Sequence, residues 1–246
     1  MTKGQLGGVM VAAVLLGLLA LHFEAMPINS SPMATGLLTL FGAPRGYDPL
    51  TAQETDALVA AVQGAADVPG SRLAAVVDWA EQQEVLLVER HEASKAAYAK
   101  GSWPRQGDVY VYDYATDTLI HTTVDVQSGA VITVEHLQGV QLPLTEREEE
   151  RALALVEVDA PLWNDLAARY QTITGEPLQR LDQLQVKVSV FHADVMPDRL
   201  KGAAQQCGQH RCAQVLLFTV DKTLLDIMPI VNLSQGQVVQ VLDGEE

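Results

Sequence analysis

The chain repeats one pattern of apolar and polar positions: a strand, a polar turn with a glycine, and a second strand. The pattern occurs first as VDVQSGAVITV, Val124–Val134, and returns 107 positions later as VNLSQGQVVQV, Val231–Val241. In both copies valines alternate with polar residues, which is the period of a half-buried strand. Gly129 and Gly236 follow a Gln-Ser or Ser-Gln pair and can supply the positive φ that a hairpin turn requires. Both stretches are therefore predicted to be β-hairpins.

Helix starts repeat as well. The stretch DPLTAQETDALVAAV matches LPLTEREEERALALV, which begins 94 positions later. Thr51 with Glu54, and Thr145 with Glu148, form the T-x-x-E capping box, in which a hydroxyl and a carboxylate satisfy backbone amides at the start of a helix. Two looser matches, VLLVERHEASKAAYAKG with VKVSVFHADVMPDRLKG and VYVYDYATDTLI with QVLLFTVDKTLL, have spacings of 101 and 105. The rising spacing indicates two copies of one module, the second with a few additional loop residues.

This duplication predicts an α+β protein with two tandem domains, residues 48–138 and residues 139–246. Each domain is expected to be a capped helix packed on an antiparallel β-meander. Each copy also carries one further segment that we expect to be helical, RLAAVVDWAEQQ in the first and PLWNDLAARYQ in the second. Pro161 of the second segment suits the first turn of a helix.

The amino terminus predicts a membrane segment. Residues 1–23 contain a run of sixteen uncharged residues, Leu6–Leu21, and this run would be about 24 Å long as a helix. No convincing small-x-small cleavage site follows it, so we expect an uncleaved signal anchor, with a cleaved signal peptide as the alternative. Residues 24–47 are predicted to be a tether. Because Lys3 is the only positive charge before Arg45, we expect a single-pass protein of the inner, cytoplasmic membrane with its bulk on the periplasmic or extracellular side.

The charge of the chain limits its partners. Sixteen Lys and Arg against 31 Asp and Glu give a net charge of −15. Such a surface repels phosphate backbones and anionic lipid headgroups. We therefore expect no nucleic-acid partner, and membrane contact only through the amino-terminal helix. Cationic partners are electrostatically possible, but an acidic surface usually serves solubility alone.

One long string of the sequence resembles a known family. The string VDVQSGAVITVEHLQGVQLPLTEREEE resembles the junction between the two small amino-terminal domains of copper amine oxidases. The stretches DPLTAQE and HEASKAAYA resemble the first of those domains. This resemblance implies two similar α+β domains in tandem. The matching residues are turn glycines, helix caps and strand valines, so the resemblance concerns the scaffold.

The chemical groups of that family do not occur in this sequence. The family makes its quinone cofactor from the tyrosine of an Asn-Tyr-Asp/Glu motif, whereas Asn29, Asn164 and Asn232 are followed by Ser, Asp and Leu. The family's copper site uses an H-x-H pair, and none of the six histidines has another histidine two positions away. The family's catalytic domain would begin where this chain stops. We therefore expect no catalytic residues, no cofactor and no enzymatic activity.

Cys207 and Cys212 are the two cysteines of the chain, in the stretch CGQHRC. A metal site would need more ligands than two thiolates and the neighbouring His210. The C-x-x-C spacing of a redox pair is not present. A structural disulfide suits a chain outside the cytoplasm, and we expect this one to brace its loop locally.

His91 and His192 fall at equivalent places in the two modules, each at the end of a predicted strand. Glu92, Asp194 and Met196 lie near them in sequence. The two histidines are therefore either paired copper ligands or ordinary polar residues at a strand exit that the duplication has kept.

Two functions are compatible with the sequence. The first is a non-catalytic, membrane-anchored, extracytoplasmic accessory subunit that contacts the protein subunits of a larger complex, for example an oxidase with a separate catalytic chain. The alternative is a periplasmic copper- or amine-binding accessory protein that uses the histidines or the acidic surface. The first is favoured because the recognisable motifs are all structural and none forms a reactive set.

Overall fold

The computed structural model of the protein describes residues 46–66, 82–101 and 103–244. These residues contain two four-stranded antiparallel sheets, and in each sheet the strands are neighbours in the order of the chain. Both sheets belong to one compact unit, Pro44–Glu246. The α+β class and the two meanders predicted from the sequence are thus confirmed, whereas the boundary between two domains stays a prediction.

Among its described residues, the first module packs one helix against its sheet. Its helices are α1 (Ala52–Ala66) and α2 (Lys95–Lys100), and its strands are β1 (Gln83–Arg90), β2 (Gln106–Asp113), β3 (Thr118–Asp125) and β4 (Val131–Gln138). Leu58 and Val62 of α1 are buried against alternate residues of the central strands, including Val109, Val111 and Ile120. The period of two along β2 and β3 brings these apolar side chains to one face, which α1 covers. The opposite face of each sheet, away from its own helix, is called its outer face.

The second module packs two helices on the corresponding face. Its helices are α3 (Glu146–Val158) and α4 (Ala160–Thr174), and its strands are β5 (Gln185–Val190), β6 (Cys212–Phe218), β7 (Ile227–Asn232) and β8 (Gln237–Asp243). As the sequence predicts, α4 is helical with a proline in its first turn, and the side chain of Asp159 caps it by accepting from the backbone N–H of Leu162. Buried residues of both helices, such as Val156 and Leu166, join the core with Val215 of β6.

Part of the first sheet's outer face packs against the second module. Tyr112, Tyr114 and Leu119 belong to the same buried cluster as the helices of the second module. The hydroxyl of Tyr114 donates to Glu148 of α3 at 2.8 Å. The far half of that outer face, toward the carboxyl end of β1, extends beyond this cluster.

A buried arginine holds the start of the main helix in each module. In the first module, Arg105 lies just before β2 and donates to both carboxylate oxygens of Glu54 at 2.6 and 2.7 Å. Arg105 also donates to the carbonyl oxygens of Asp48 and Pro49, both at 2.9 Å. Glu54 is the capping-box residue that accepts from the backbone N–H of Thr51 at 2.8 Å. The hydrogen bond from Arg105 is the largest cause that lowers the pKa of Glu54 to about 2.

The second module repeats this arrangement, which we call the Arg–Glu clamp. Arg211 donates to Glu148 through Nε and Nη2, each at 2.7 Å. It also donates to the carbonyl oxygens of Leu142 and Pro143, at 2.6 and 2.9 Å. Glu148 is again the capping-box residue, accepting from the backbone N–H of Thr145 at 2.9 Å. Bidentate pairs between a guanidinium and a carboxylate are stronger and more specific in geometry than neutral hydrogen bonds, so the clamp fixes the helix start to the sheet.

Both predicted hairpins are present with glycine at a positive φ. In the first, Gly129 has φ of 68°, and its N–H donates to the carbonyl oxygen of Asp125 at 2.8 Å. In the second, Gly236 has φ of 67°, and its N–H donates to the carbonyl oxygen of Asn232 at 2.9 Å. The duplicated sequence pattern therefore encodes a duplicated turn.

The predicted membrane segment cannot be compared with these elements. Residues 1–23 lie outside the described residues, as do residues 24–45 of the predicted tether and most of the segment RLAAVVDWAEQQ. None of the helices within the described ranges is long and apolar enough to span a membrane.

Candidate functional site

A cluster of polar side chains lies on the far half of the first sheet's outer face. Strand pairing places Asp108 opposite Thr123, and His121 opposite Glu135. His91 directly follows β1, and its side chain lies on the same face. The carboxylate of Asp108 accepts from His91 Nδ1, at 2.9 and 3.0 Å to its two oxygens, and from Thr123 Oγ1 at 2.8 Å. We call this half of the outer face the polar face.

The second imidazole of the polar face is held by stacking. The ring of His121 lies parallel to that of Tyr110, with centroids 4.6 Å apart and an interplanar angle of 7°. His121 Nδ1 is 3.2 Å from a carboxylate oxygen of Glu135. His121 Nε2 is 3.0 Å from Asp108 Oδ1. The angle at this ring nitrogen does not suit a hydrogen bond to that oxygen, and the buried nitrogen makes no hydrogen bond to any described residue. Two imidazoles thus flank one largely buried carboxylate.

Tyr110 remains a phenol in this setting. Burial, followed by the neighbouring carboxylates of Asp108 and Glu89, raises the pKa of Tyr110 to about 12. The tyrosine is therefore neutral at physiological pH and adds no charge of its own. The negative charge of the polar face comes from its carboxylates.

A cleft of about 640 Å³ opens beside the polar face, at the end of β1. Three carboxylates line it, from Glu89, Glu92 and Asp108, together with one guanidinium, from Arg90. Its apolar wall comes from Leu50 and Val88. The cleft therefore combines negative charge with a partly apolar surface, which suits the stem and charged head of a long cationic side chain.

The second module has a different set of side chains at the corresponding positions. The N–H of His91 donates to the carbonyl oxygen of Gln106, and the N–H of Phe191 donates to that of Cys212. Gln106 and Cys212 each begin the second strand of their sheet. The counterpart of His91 is therefore Phe191, and the equivalence of His91 with His192 predicted from the sequence is wrong by one residue. Strand pairing, which sequence spacing does not report, sets the register.

Strand pairing also identifies the other counterparts. The residues at the positions of His91, Asp108, His121, Thr123 and Glu135 are Phe191, Gln214, Met228, Ile230 and Leu242. Four of the five are apolar, and the fifth is an uncharged amide. The polar face is thus a property of the first module and not of the shared fold.

The outer face of the second sheet is covered by its own chain. The connection from β5 to β6, residues 191–211, folds into short 3₁₀ turns over this face. Leu200, Ala204 and Cys207 of the connection are buried with Ile230 and Leu242 of the sheet. As the sequence predicts, a disulfide joins Cys207 to Cys212, with Cα atoms 5.4 Å apart. The shorter connection of the first module contains α2, none of whose six residues is buried.

A separate group of polar side chains joins the two modules. Asp117, in the turn between β2 and β3, accepts from His210 Nδ1 and Ser234 Oγ and from the hydroxyl of Tyr112 at 3.2 Å. Gln141 Nε2 donates to the carbonyl oxygen of Gly208 in the disulfide loop at 3.0 Å. Histidine and serine both contact the carboxylate, so the histidine does not stand between them as it would in a nucleophilic triad. We assign this group to the junction of the modules.

The predicted copper ligands contact different elements. His91 lies against Asp108 on the polar face. His192 lies beside the disulfide loop, where a Cβ placed on Gly208 would be 3.1 Å from His192 Nδ1. Within the described ranges, no three His, Cys, Asp or Glu side chains are arranged to hold a metal ion.

Sequence reasoning missed Asp108, His121 and Glu135. The available signal was the alternation in β2 and β3, since a period of two puts Asp108 and Tyr110 on one face, and His121 and Thr123 on one face. The alternation does not give the pairing register of the strands, and it is this register that places these residues side by side.

Comparison with known proteins supports the fold. No protein-family model and no curated protein sequence matches the chain. Among solved structures, the chain is similar to a copper-containing benzylamine oxidase from Hansenula polymorpha, with a TM-score of 0.53 and 14% identity over 81% of this chain and 30% of that one. An amine oxidase from Aspergillus nidulans also matches, with a TM-score of 0.42 and 16% identity over 77% of this chain and 27% of that one.

The chain resembles part of a copper amine oxidase in fold. It spans about 30% of the length of the benzylamine oxidase, in agreement with a resemblance to that family's small domains rather than to a whole oxidase. At 14% identity, the likeness concerns the arrangement of helices and strands.

Proposed function

We propose that this chain is a non-catalytic accessory subunit, anchored in the cytoplasmic membrane by its amino-terminal segment and bound to protein subunits of a larger complex outside the cytoplasm. An oxidase with a separate catalytic chain is the class of complex that we favour. The fold likeness to a minor portion of an amine oxidase supports this role, because a scaffold domain of that kind can act beside a catalytic chain.

The observation that carries the proposal is the difference between the two outer faces. The second module covers its outer face with residues of its own chain. The first module keeps accessible side chains there, among them His91 and Glu135, with 36% and 60% of their side-chain surfaces exposed. Because the fold occurs twice, the second copy shows that an accessible polar face is not needed for folding. We infer that the first module uses this face for contact.

Gentle detergent extraction of the native protein tests this proposal. On a native gel or by sedimentation, the chain should migrate with a mass well above that of one subunit and its detergent micelle. Mass spectrometry of the band should identify the same companion proteins in independent preparations. Migration as a lone monomer, under conditions that keep other membrane assemblies intact, would contradict the proposal.

A second candidate function rests on the same face. Two imidazoles flank the carboxylate of Asp108, and imidazole and carboxylate are group types that bind copper or another cation, although these side chains would have to rearrange to hold a metal ion. A periplasmic copper- or amine-binding accessory protein would use these groups. Calorimetric titration with Cu²⁺ would favour this candidate if binding is micromolar or tighter and is lost in both His91→Ala and His121→Ala. Weak binding that survives both substitutions would remove it.

A further inference from the structure

On the polar face and in its cleft, carboxylates outnumber cationic side chains. The strands β2, β3 and β4 contain no Lys or Arg. β1 ends in Arg90, whose guanidinium donates to the hydroxyl of Tyr98 and the carbonyl oxygen of His91, both at 3.4 Å. Glu89 and Glu135 are exposed, and Glu92 adds a third accessible carboxylate at the cleft.

The second module shows what this face of the fold can accommodate. There, a connecting segment with short turns covers the sheet through apolar contacts of Phe191, Leu200 and Ala204. The counterpart surface of the first module has the same strand arrangement but presents Asp108, His121 and Glu135 in place of Gln214, Met228 and Leu242. A segment that covers the first face must therefore be complementary to carboxylates rather than to apolar side chains.

We propose that the polar face and its cleft dock a segment of the partner subunit that carries lysine or arginine side chains. This inference rests on the proposed accessory function and specifies the chemistry of its contact. An ammonium or guanidinium group would pair with Glu89 or Glu92 at the mouth of the cleft, while its aliphatic stem lies along Leu50 and Val88. A second basic side chain would reach Glu135 at the other side of the polar face.

Zero-length cross-linking of the native complex tests the contact directly. A carbodiimide joins a carboxylate to a lysine amine only when the two are in contact. In the detergent-extracted complex, we expect cross-linked peptides that join Glu89, Glu92 or Glu135 to lysines of one companion protein. A segment that docks through arginine alone would give no such product, so the variants below are required as well.

The matched variants carry the same change in charge at two places. Glu89→Gln combined with Glu135→Gln removes two charges from the polar face, and Glu150→Gln combined with Glu157→Gln removes two exposed charges from α3. We expect the first pair to weaken association about tenfold and to reduce its dependence on salt. We expect the α3 pair to leave association unchanged. Unfolding curves of both variants should lie close to that of the natural protein, since all four carboxylates are exposed and Glu135→Gln keeps a side-chain oxygen that can accept from His121.

The outcomes separate this inference from the proposed function. If the complex persists and the polar-face variant binds as well as the α3 variant, the docking inference is wrong while the accessory function stands. If both variants weaken association equally, the effect is one of net charge, and the inference is again wrong. If no complex forms with the natural protein, both proposals are wrong.

Discussion

The two modules share a scaffold and treat its outer face in opposite ways. Both contain a capping box, an Arg–Glu clamp and a hairpin whose glycine has a positive φ. On the outer face, the second module buries apolar residues under a disulfide-braced connection, whereas the first presents histidine and carboxylate groups. The features that hold the fold are thus repeated, and the features open to binding are not. This separation allows folding and binding to be tested with different substitutions.

Even the shared clamp differs in its environment. Arg211 and Glu148 have 0% and 1% of their side-chain surfaces exposed, whereas Arg105 and Glu54 have 5% and 17%. The second clamp lies where both modules meet, and the hydroxyl of Tyr114 also donates to Glu148. An unpaired charge is more costly at the second clamp, because its side chains are less exposed to solvent.

The largest expected effect is therefore the loss of the second clamp. Arg211→Met leaves Glu148 buried without its cation and should lower the free energy of unfolding by about 3 to 5 kcal/mol. Arg105→Met leaves Glu54 partly hydrated and should cost about 1 to 3 kcal/mol. Urea unfolding of the full chain in mild detergent, followed by circular dichroism, measures both values. Equal losses would show that the two clamps are energetically alike in spite of their burial.

The clamps also show where the sequence stops being informative. Capping boxes and hairpins lie within a few residues, so their patterns are visible in the sequence, and both were predicted. The partners of each clamp are 51 and 63 residues apart, and no local pattern connects them. The register error at His192 has the same origin, because the pairing of β5 with β6 decides which residue faces the sheet. Local chemistry was predictable and long-range pairing was not.

The disulfide should matter mainly for the covered face. Replacing Cys207 and Cys212 together with Ser should cost about 2 kcal/mol on the chain-entropy account of so short a loop. Loosening the connection should also expose the apolar cluster beneath it, so we expect greater fluorescence of a dye that binds apolar surface. Ser94→Ala, which removes the side-chain cap of α2 in the first module's connection, is the control and should not change dye binding. A similar rise in both proteins would contradict the asymmetry of the two faces.

Acid should weaken the first clamp in a defined range. The pKa of Glu54 is lowered from 4.5 to about 2 in the folded protein, chiefly by the hydrogen bond from Arg105. A lowered carboxyl pKa stabilises the fold above the unfolded value, and this contribution is lost as the pH falls from about 5 to about 2. With allowance for solvent screening it amounts to about 1 to 2 kcal/mol. Unfolding free energies at several pH values should show a smaller loss in Glu54→Gln than in the natural protein. Parallel curves for the two would show that Glu54 does not contribute.

The smallest expected effect tests the repeated hairpin. At Gly129 an added Cβ would be 3.8 Å from Ala61 Cβ, and at Gly236 it would be 3.7 Å from Arg151 Nη2. Both are ordinary van der Waals contacts, so Gly129→Ala and Gly236→Ala should cost only the strain of a positive φ at a residue with a Cβ, about 1 kcal/mol each. Because the two φ values differ by a single degree, 68° against 67°, the losses should agree within error in the same urea assay.

A much larger loss at Gly236 would mean that the turn near Arg151 is more tightly packed than its counterpart, and the two hairpins would then no longer be energetically equivalent. Asn in place of Ala provides the control, since Asn tolerates this conformation better and should recover part of the loss at both positions.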